Sequence, residues 1–162
     1  MHRIGIVAAL LILGSCGGKG TPSDGKPVAG IPTDASKMFQ FLTAGDYKAW
    51  TAESAVHESK GPHGKVRTFV NETLASSLSA KNSEHPVGSA AVKELYKKDG
   101  TTLSGWAVEL KATAGAGGES WYWYEVFSTT DGSSPIEGLG HSTCTGCHSA
   151  GLDYVRAPFP LQ

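Results

Sequence analysis

Residues 89–128 read SAAVKELYKKDGTTLSGWAVELKATAGAGGESWYWYEVFS, and this run decides the fold. It holds three strand-forming stretches, Ser89–Tyr96, Thr102–Ala112 and Ser120–Ser128. Two breaks divide them, Lys98-Asp99-Gly100 and Gly115-Ala116-Gly117-Gly118. Neither break is long enough for a crossover helix, so the strands connect antiparallel. The glycine-rich break lacks the G-x-G-x-x-G spacing and no helix signal follows it, so it reads as a hairpin loop rather than a phosphate cradle. Upstream, Lys65–Val70 alternates, with Val66, Thr68 and Val70 on one face and Arg67 and Phe69 on the other. Asn71 then suits the N-cap of a helix that sets Leu74 and Leu78 one turn apart. Earlier still, Asp34 or Ser36 can cap a short helix carrying Met38, Phe39, Phe41 and Leu42. Gly45 interrupts that helix, and Asp46 starts another turn bearing Tyr47 and Trp50. The fold class expected is α+β, mainly antiparallel β: one sheet-based domain over residues 35–162, with short N-terminal helices.

Composition agrees. Of 162 residues, 40% are hydrophobic and 18% charged, which describes a folded globular chain and excludes a disordered or coiled-coil one. The net charge is −1 and no block of Lys and Arg stands out, so a nucleic-acid binder working through phosphate contacts is not expected.

The N-terminus reads as a leader. Met1-His2-Arg3 is a short basic start, and Ile4–Leu13 is an apolar stretch of signal-peptide length, well under the ~20 residues of a membrane span. Leu13-Gly14-Ser15-Cys16 resembles the bacterial lipobox, which makes residues 1–15 a removable signal peptide and Cys16 the lipidated residue. An ordinary secretory signal with a chance cysteine is the alternative. Residues 16–34 are rich in glycine and proline and read as a flexible tether. Gly17 follows the cysteine, which favours sorting to the outer membrane, facing the periplasm, in a cell with two membranes. The chain is therefore expected to be exported and held to the envelope by its lipid alone.

Two cysteines remain, in Cys144-Thr145-Gly146-Cys147-His148. Cys-x-x-Cys-His is the attachment motif of c-type haem. Cysteines at i and i+3 sit on one side of a helical turn and reach two vinyl groups along one porphyrin edge. His148 then lies under the iron as axial ligand. Zinc would want four ligands and no second cysteine pair exists. A redox dithiol is the remaining alternative, though the βαβ surround it favours is absent. The expected cofactor is one covalent haem c with its iron, carried on a C-terminal helix, and Arg156–Gln162 is a closing tail.

A late haem motif after a meander of strands resembles the cytochrome P-four-sixty family and its relative cytochrome c′-beta. The likeness is carried by Gly64–Asn71 (GKVRTFVN), Pro86–Leu95 (PVGSAAVKEL), the aromatic strand Trp121–Phe127, and Cys144–His148 followed by Asp153-Tyr154-Val155. Together these cover most of residues 45–160. The resemblance implies a largely β, often dimeric domain whose haem leaves an open distal side for nitric oxide or hydroxylamine. It matches Cys144 and Cys147 to the thioether cysteines and His148 to the proximal ligand. Hydroxylamine-oxidising members also bond a lysine to the porphyrin edge; Lys93, in a strand beside Val92 and Leu95, is the first candidate here and Lys81 the second. For their distal proton-accepting carboxylate the candidate is Glu137, seven residues before Cys144 in a glycine-rich loop, with Leu139 nearer to the motif. The cytochrome c′-beta relatives cap the distal side with phenylalanine, for which Phe69 is the candidate. A core phenylalanine is the alternative for Phe69, and an ion-paired or solvated lysine for Lys93.

Other residues admit two readings each. His63 and His85 could supply a sixth iron ligand, or serve as hydrogen-bonding histidines beside proline. Met38 could be a thioether ligand, but suits a helix core. His141 could orient a group that holds the iron, or simply start the helix. Trp121-Tyr122-Trp123-Tyr124 loads both faces of its strand, as a central strand between core and haem or dimer contact would. The functional expectation is an exported cytochrome that binds a small gas such as nitric oxide or passes electrons to a redox partner. Oxidation of hydroxylamine through Lys93 and Glu137, and a six-coordinate electron carrier, are the alternatives.

Overall fold

A computed structural model describes residues 30–162. The leader, Cys16 and the tether as far as residue 29 lie outside the described residues. The described residues form seven strands: β1 (Thr51–Ala52), β2 (His57–Glu58), β3 (Lys65–Val70), β4 (Ala90–Tyr96), β5 (Leu103–Lys111), β6 (Trp121–Val126) and β7 (Ile136–Leu139). Three α-helices accompany them: α1 (Ala35–Ala44), α2 (Glu72–Ser79) and α3 (Ser142–His148). All pairings are antiparallel, in the order β1-β3-β4-β5-β6-β7, with β2 pairing β3 further along. The domain is thus α+β and mainly antiparallel β, and the three strands read from residues 89–128 stand side by side in its middle. Among the described residues, no helix is long and apolar enough to cross a membrane.

Local chemistry sets the helix ends. Asp34 Oδ1 accepts the Lys37 amide at 3.0 Å, and Gly45 stops α1 in the left-handed region at φ 78°. Asn71 caps α2 with an oxygen that accepts from Leu74 and Ala90, while its Nδ2 donates to the Gly88 carbonyl. Ile31, inside the expected tether, already packs on the core.

Strand alternation sorts the side chains onto two faces. One face packs beneath α1 through Met38, Leu42, Tyr47, Phe69, Val92 and Trp106. Here Tyr47 donates to the buried Glu94 carboxylate at 2.6 Å and accepts from Trp106 Nε1 at 2.9 Å. The other face carries Val70, Ala91, Trp121 and Trp123 and packs against α2 and the C-terminal segment through Leu74 and Val155. Strand registers arrange this second face in rows: Val70–Ala91–Glu109–Trp123 is one, and Thr68–Lys93–Ala107–Glu125 is the next. All four aromatics of β6 are buried within the chain, Tyr122 and Tyr124 on the α1 face and the two tryptophans on the other.

Candidate functional site

The second face of the sheet forms the floor of a cavity of about 530 Å³, closed by the 57–63 loop, α3 and the C-terminal tail. Sites for organic ligands occupy roughly 300–1,000 Å³. Cys144, Cys147 and His148 all line it. Much of the remaining wall is apolar, with Val66, Ala107 and Trp123 on the floor and Ile136, Ala157 and Pro158 at the sides. Lys60, Lys93 and Arg156 supply cationic groups to the same wall.

Both cysteines are free; Cys144 is half-buried and Cys147 exposed. Burial, reinforced by the Glu125 and Glu109 charges, pushes the Cys144 thiol up to about 11. A dithiol oxidoreductase needs the opposite, a thiol pKa lowered toward neutrality. Among the described residues, no three His, Cys, Asp or Glu side chains converge as a metal cage.

His148 is held tightly. Its ring lies 4.6 Å from the Trp123 ring centre at 67°. Its Nδ1 stands 2.9 Å from the Tyr154 carbonyl, which can only accept, so Nδ1 carries the proton. Nε2 is left with its lone pair, the form in which histidine binds a metal. Glu109 Oε2 also stands 3.0 Å from Nδ1, off the line for a hydrogen bond, and is a buried oxygen without a hydrogen-bond partner among the described residues. A helical turn with two cysteines on the cavity wall, followed by a histidine oriented through Nδ1, fits a covalent haem.

The Tyr154 carbonyl has its own scaffold. Asp153 and Tyr154 adopt φ of 44° and 70°, two successive non-glycine residues in the left-handed region. Each costs of order 1–3 kcal/mol and persists only where the surroundings impose it. Here Leu152 and Val155 exchange two backbone hydrogen bonds of 3.0 Å across the turn. Asp153 Oδ2 meets Lys111 Nζ at 2.7 Å, both side chains fully buried, and also accepts the His85 amide at 2.8 Å. Lys111 donates further to the Gly115 carbonyl and lies 5.1 Å above the Trp121 ring.

The structure sorts the sequence candidates. Lys93 stands on the cavity floor and forms no ion pair among the described residues. Lys81 is exposed after α2, away from the cavity. Phe69 is not a distal cap: odd-numbered positions of β3 face α1, and Phe69 packs edge-on against Tyr47. Glu137 is not in the cavity either. It pairs in register with Tyr124 on β7, and its carboxylate accepts from Tyr122 at 2.5 Å on the α1 face. Leu139 points the same way and is exposed. Met38 is core beneath the opposite face. His85 is buried and bonded at both nitrogens, to Ser77 Oγ and the Leu152 carbonyl, so it is structural. His63 lines the cavity, while His141 immediately precedes α3.

Sequence reasoning missed Glu109, Lys111 and the local role of Asp153. A lysine and a glutamate two apart in an alternating strand signal only that one face is polar there; their buried partners come from residues 148–153. No protein-family model matches the chain, and no curated protein matches it.

Proposed function

We propose that the chain is an exported c-type cytochrome of the cytochrome P-four-sixty type, binding one covalent haem for one-electron redox chemistry. One observation carries the reading: Cys144, Cys147 and His148 share one wall of a largely apolar cavity, with His148 Nδ1 committed to the Tyr154 carbonyl and Nε2 left free. Cys144 and Cys147 would form the thioethers and His148 would be the axial ligand. When bound, the haem supplies a reversible ferric–ferrous couple. The residues' part is to exclude water from the apolar wall, fix the His148 tautomer and offer cations to the propionates. Residues 1–15 would direct export, and Cys16 would carry the lipid that holds the domain at the envelope.

Lys93 in the cavity wall favours a second reading, a lysine-modified haem oxidising hydroxylamine; with Glu137 on the far side of the sheet, Glu125 or Glu53 would have to serve as proton acceptor. The test is maturation of the whole chain in a haem-attaching host, followed by haem staining of a denaturing gel and a reduced absorption spectrum. A haem-stained band lost in the Cys144→Ala/Cys147→Ala variant, with an ordinary c-type Soret band, is the expected result. An unstained band overturns the proposal. A strongly red-shifted ferrous Soret band that reverts in Lys93→Ala selects the second reading.

A further inference from the structure

His63 lines the same cavity as His148, with its ring centre 6.5 Å from that of His148. β2 and β3 form a hairpin whose connecting loop is closed by the Ser59 amide bonding the Gly64 carbonyl at 2.7 Å. Gly64, at φ 68°, takes the left-handed turn that leads the chain into β3. The loop brings His63 over the sheet, where its Nδ1 meets Glu125 Oε1 at 2.9 Å. Both side chains are largely buried, at 17% and 12% exposed.

The two histidines therefore stand over adjacent rows of one sheet face. His148 rests on Trp123 and His63 is held by Glu125, two residues further along β6. Two residues of strand span about 6.7 Å. The ring centres are 6.5 Å apart, with planes at 71°. Two imidazoles on one iron, each with a metal–nitrogen bond of about 2.0 Å and a ring centre about 1.2 Å behind that nitrogen, have centres about 6.4 Å apart. Each ring has Nδ1 committed to an acceptor, Tyr154 O or Glu125, which leaves Nε2 on both for a metal.

We infer that His63 is the sixth ligand of the haem iron, oriented by Glu125, so that the cavity holds a bis-histidine centre closed to small gases. This rests on the haem c reading and changes what the protein does with the haem. It makes the protein an electron carrier, where the resemblance implies an open gas-binding side. Other candidates for the position fail on placement: His85 has both nitrogens bonded, Met38 is on the opposite face, and exposed His57 is tied to Glu53 and the Glu58 carbonyl.

The experiment uses the whole chain, matured with haem, at neutral pH. Intact mass first establishes that haem is covalently attached, and its absence overturns both readings together. With haem attached, the ferric protein is expected to give a low-spin electron paramagnetic resonance spectrum with the large anisotropy of near-perpendicular imidazole planes. Its near-infrared magnetic circular dichroism band should lie where two histidines place it, and the ferrous form should not bind carbon monoxide. His63→Ala is expected to turn high-spin and bind carbon monoxide at once, with the same haem mass, and added imidazole should restore the low-spin spectrum. A high-spin, carbon-monoxide-binding wild type overturns the inference while leaving the haem c reading intact. So does a low-spin spectrum that persists in His63→Ala, or a near-infrared band of a lysine or methionine ligand. The wild-type spectra decide the question even if His63→Ala does not fold.

Discussion

Asp153→Asn isolates the charge that holds the turn at Asp153 and Tyr154. Asparagine keeps the shape, accepts from the His85 amide as aspartate does, and tolerates the φ of 44° better than most residues. What it removes is the anion 2.7 Å from a fully buried Lys111 ammonium. Breaking a buried pair by neutralising one partner costs about 3–5 kcal/mol, because the other charge stays buried without compensation. Lys111 retains the Gly115 carbonyl and the Trp121 face, which places the loss near the lower end, about 3 kcal/mol. That is a large share of a domain stability of about 5–15 kcal/mol. At about 3–4 °C per kcal/mol it lowers the Tm by about 10 °C. The assay is urea unfolding followed by far-ultraviolet circular dichroism, run as a double-mutant cycle with Lys111→Met. The double variant should be more stable than the sum of the two single losses allows, by at least about 1 kcal/mol. A loss under about 1 kcal/mol in Asp153→Asn, or strict additivity in the double variant, would refute the reasoning.

Burial lowers the pKa of His85, against the raising influence of Asp153 and Glu109 and together with the lowering influence of Lys111. Below about pH 6.5 the unfolded chain therefore takes up a proton that the folded one resists, and stability falls as pH drops from there. Urea midpoints at pH 7 and pH 5 measure this; His85→Gln should show a shallower fall, and an unchanged slope would remove His85 as a cause. His57, whose pKa is raised chiefly by the Glu58 carbonyl, acts with the opposite sign. Gly105 sits where a Cβ would press into the Val126 carbonyl of the neighbouring strand. Gly105→Ala should cost about 1–3 kcal/mol in urea unfolding, and a neutral result would mean the β5–β6 ladder is looser than it stands here. In the haem-loaded protein, Glu109→Gln removes a negative charge beside His148 Nδ1, which should raise the midpoint potential by on the order of 50–100 mV in a redox titration. A fall in potential would contradict the placement of that carboxylate.

Much of the sheet was legible because its signals are local. Alternation fixed Lys65–Val70 to the residue, and the two glycine-bearing breaks bounded β4, β5 and β6 to within two residues. The Asp34 and Asn71 caps read true for the same reason, since a capping side chain bonds amides three residues on. β1, β2 and β7 escaped notice because two-residue and four-residue edge strands carry almost no periodicity and exist only through pairing with β3 and β6. The site divides along the same line. The Cys-x-x-Cys-His run is a local pattern, whereas the groups around His148 come from residues 109, 111 and 153, joined only by the fold. Phe69 and Glu137 were placed at the site by resemblance, and strand parity turns both to the other face. His63 could be recognised as a candidate ligand, but its place 6.5 Å from His148 follows from the hairpin over the sheet.

The most direct test of the central claim is the intact mass of the purified chain after acid–acetone extraction, which strips any haem that is not covalently bound. The account predicts a mass increased by one haem, lost when Cys144 and Cys147 are both replaced by alanine. A mass equal to that of the bare polypeptide, from a host that attaches haem to a known c-type cytochrome in parallel, would contradict it.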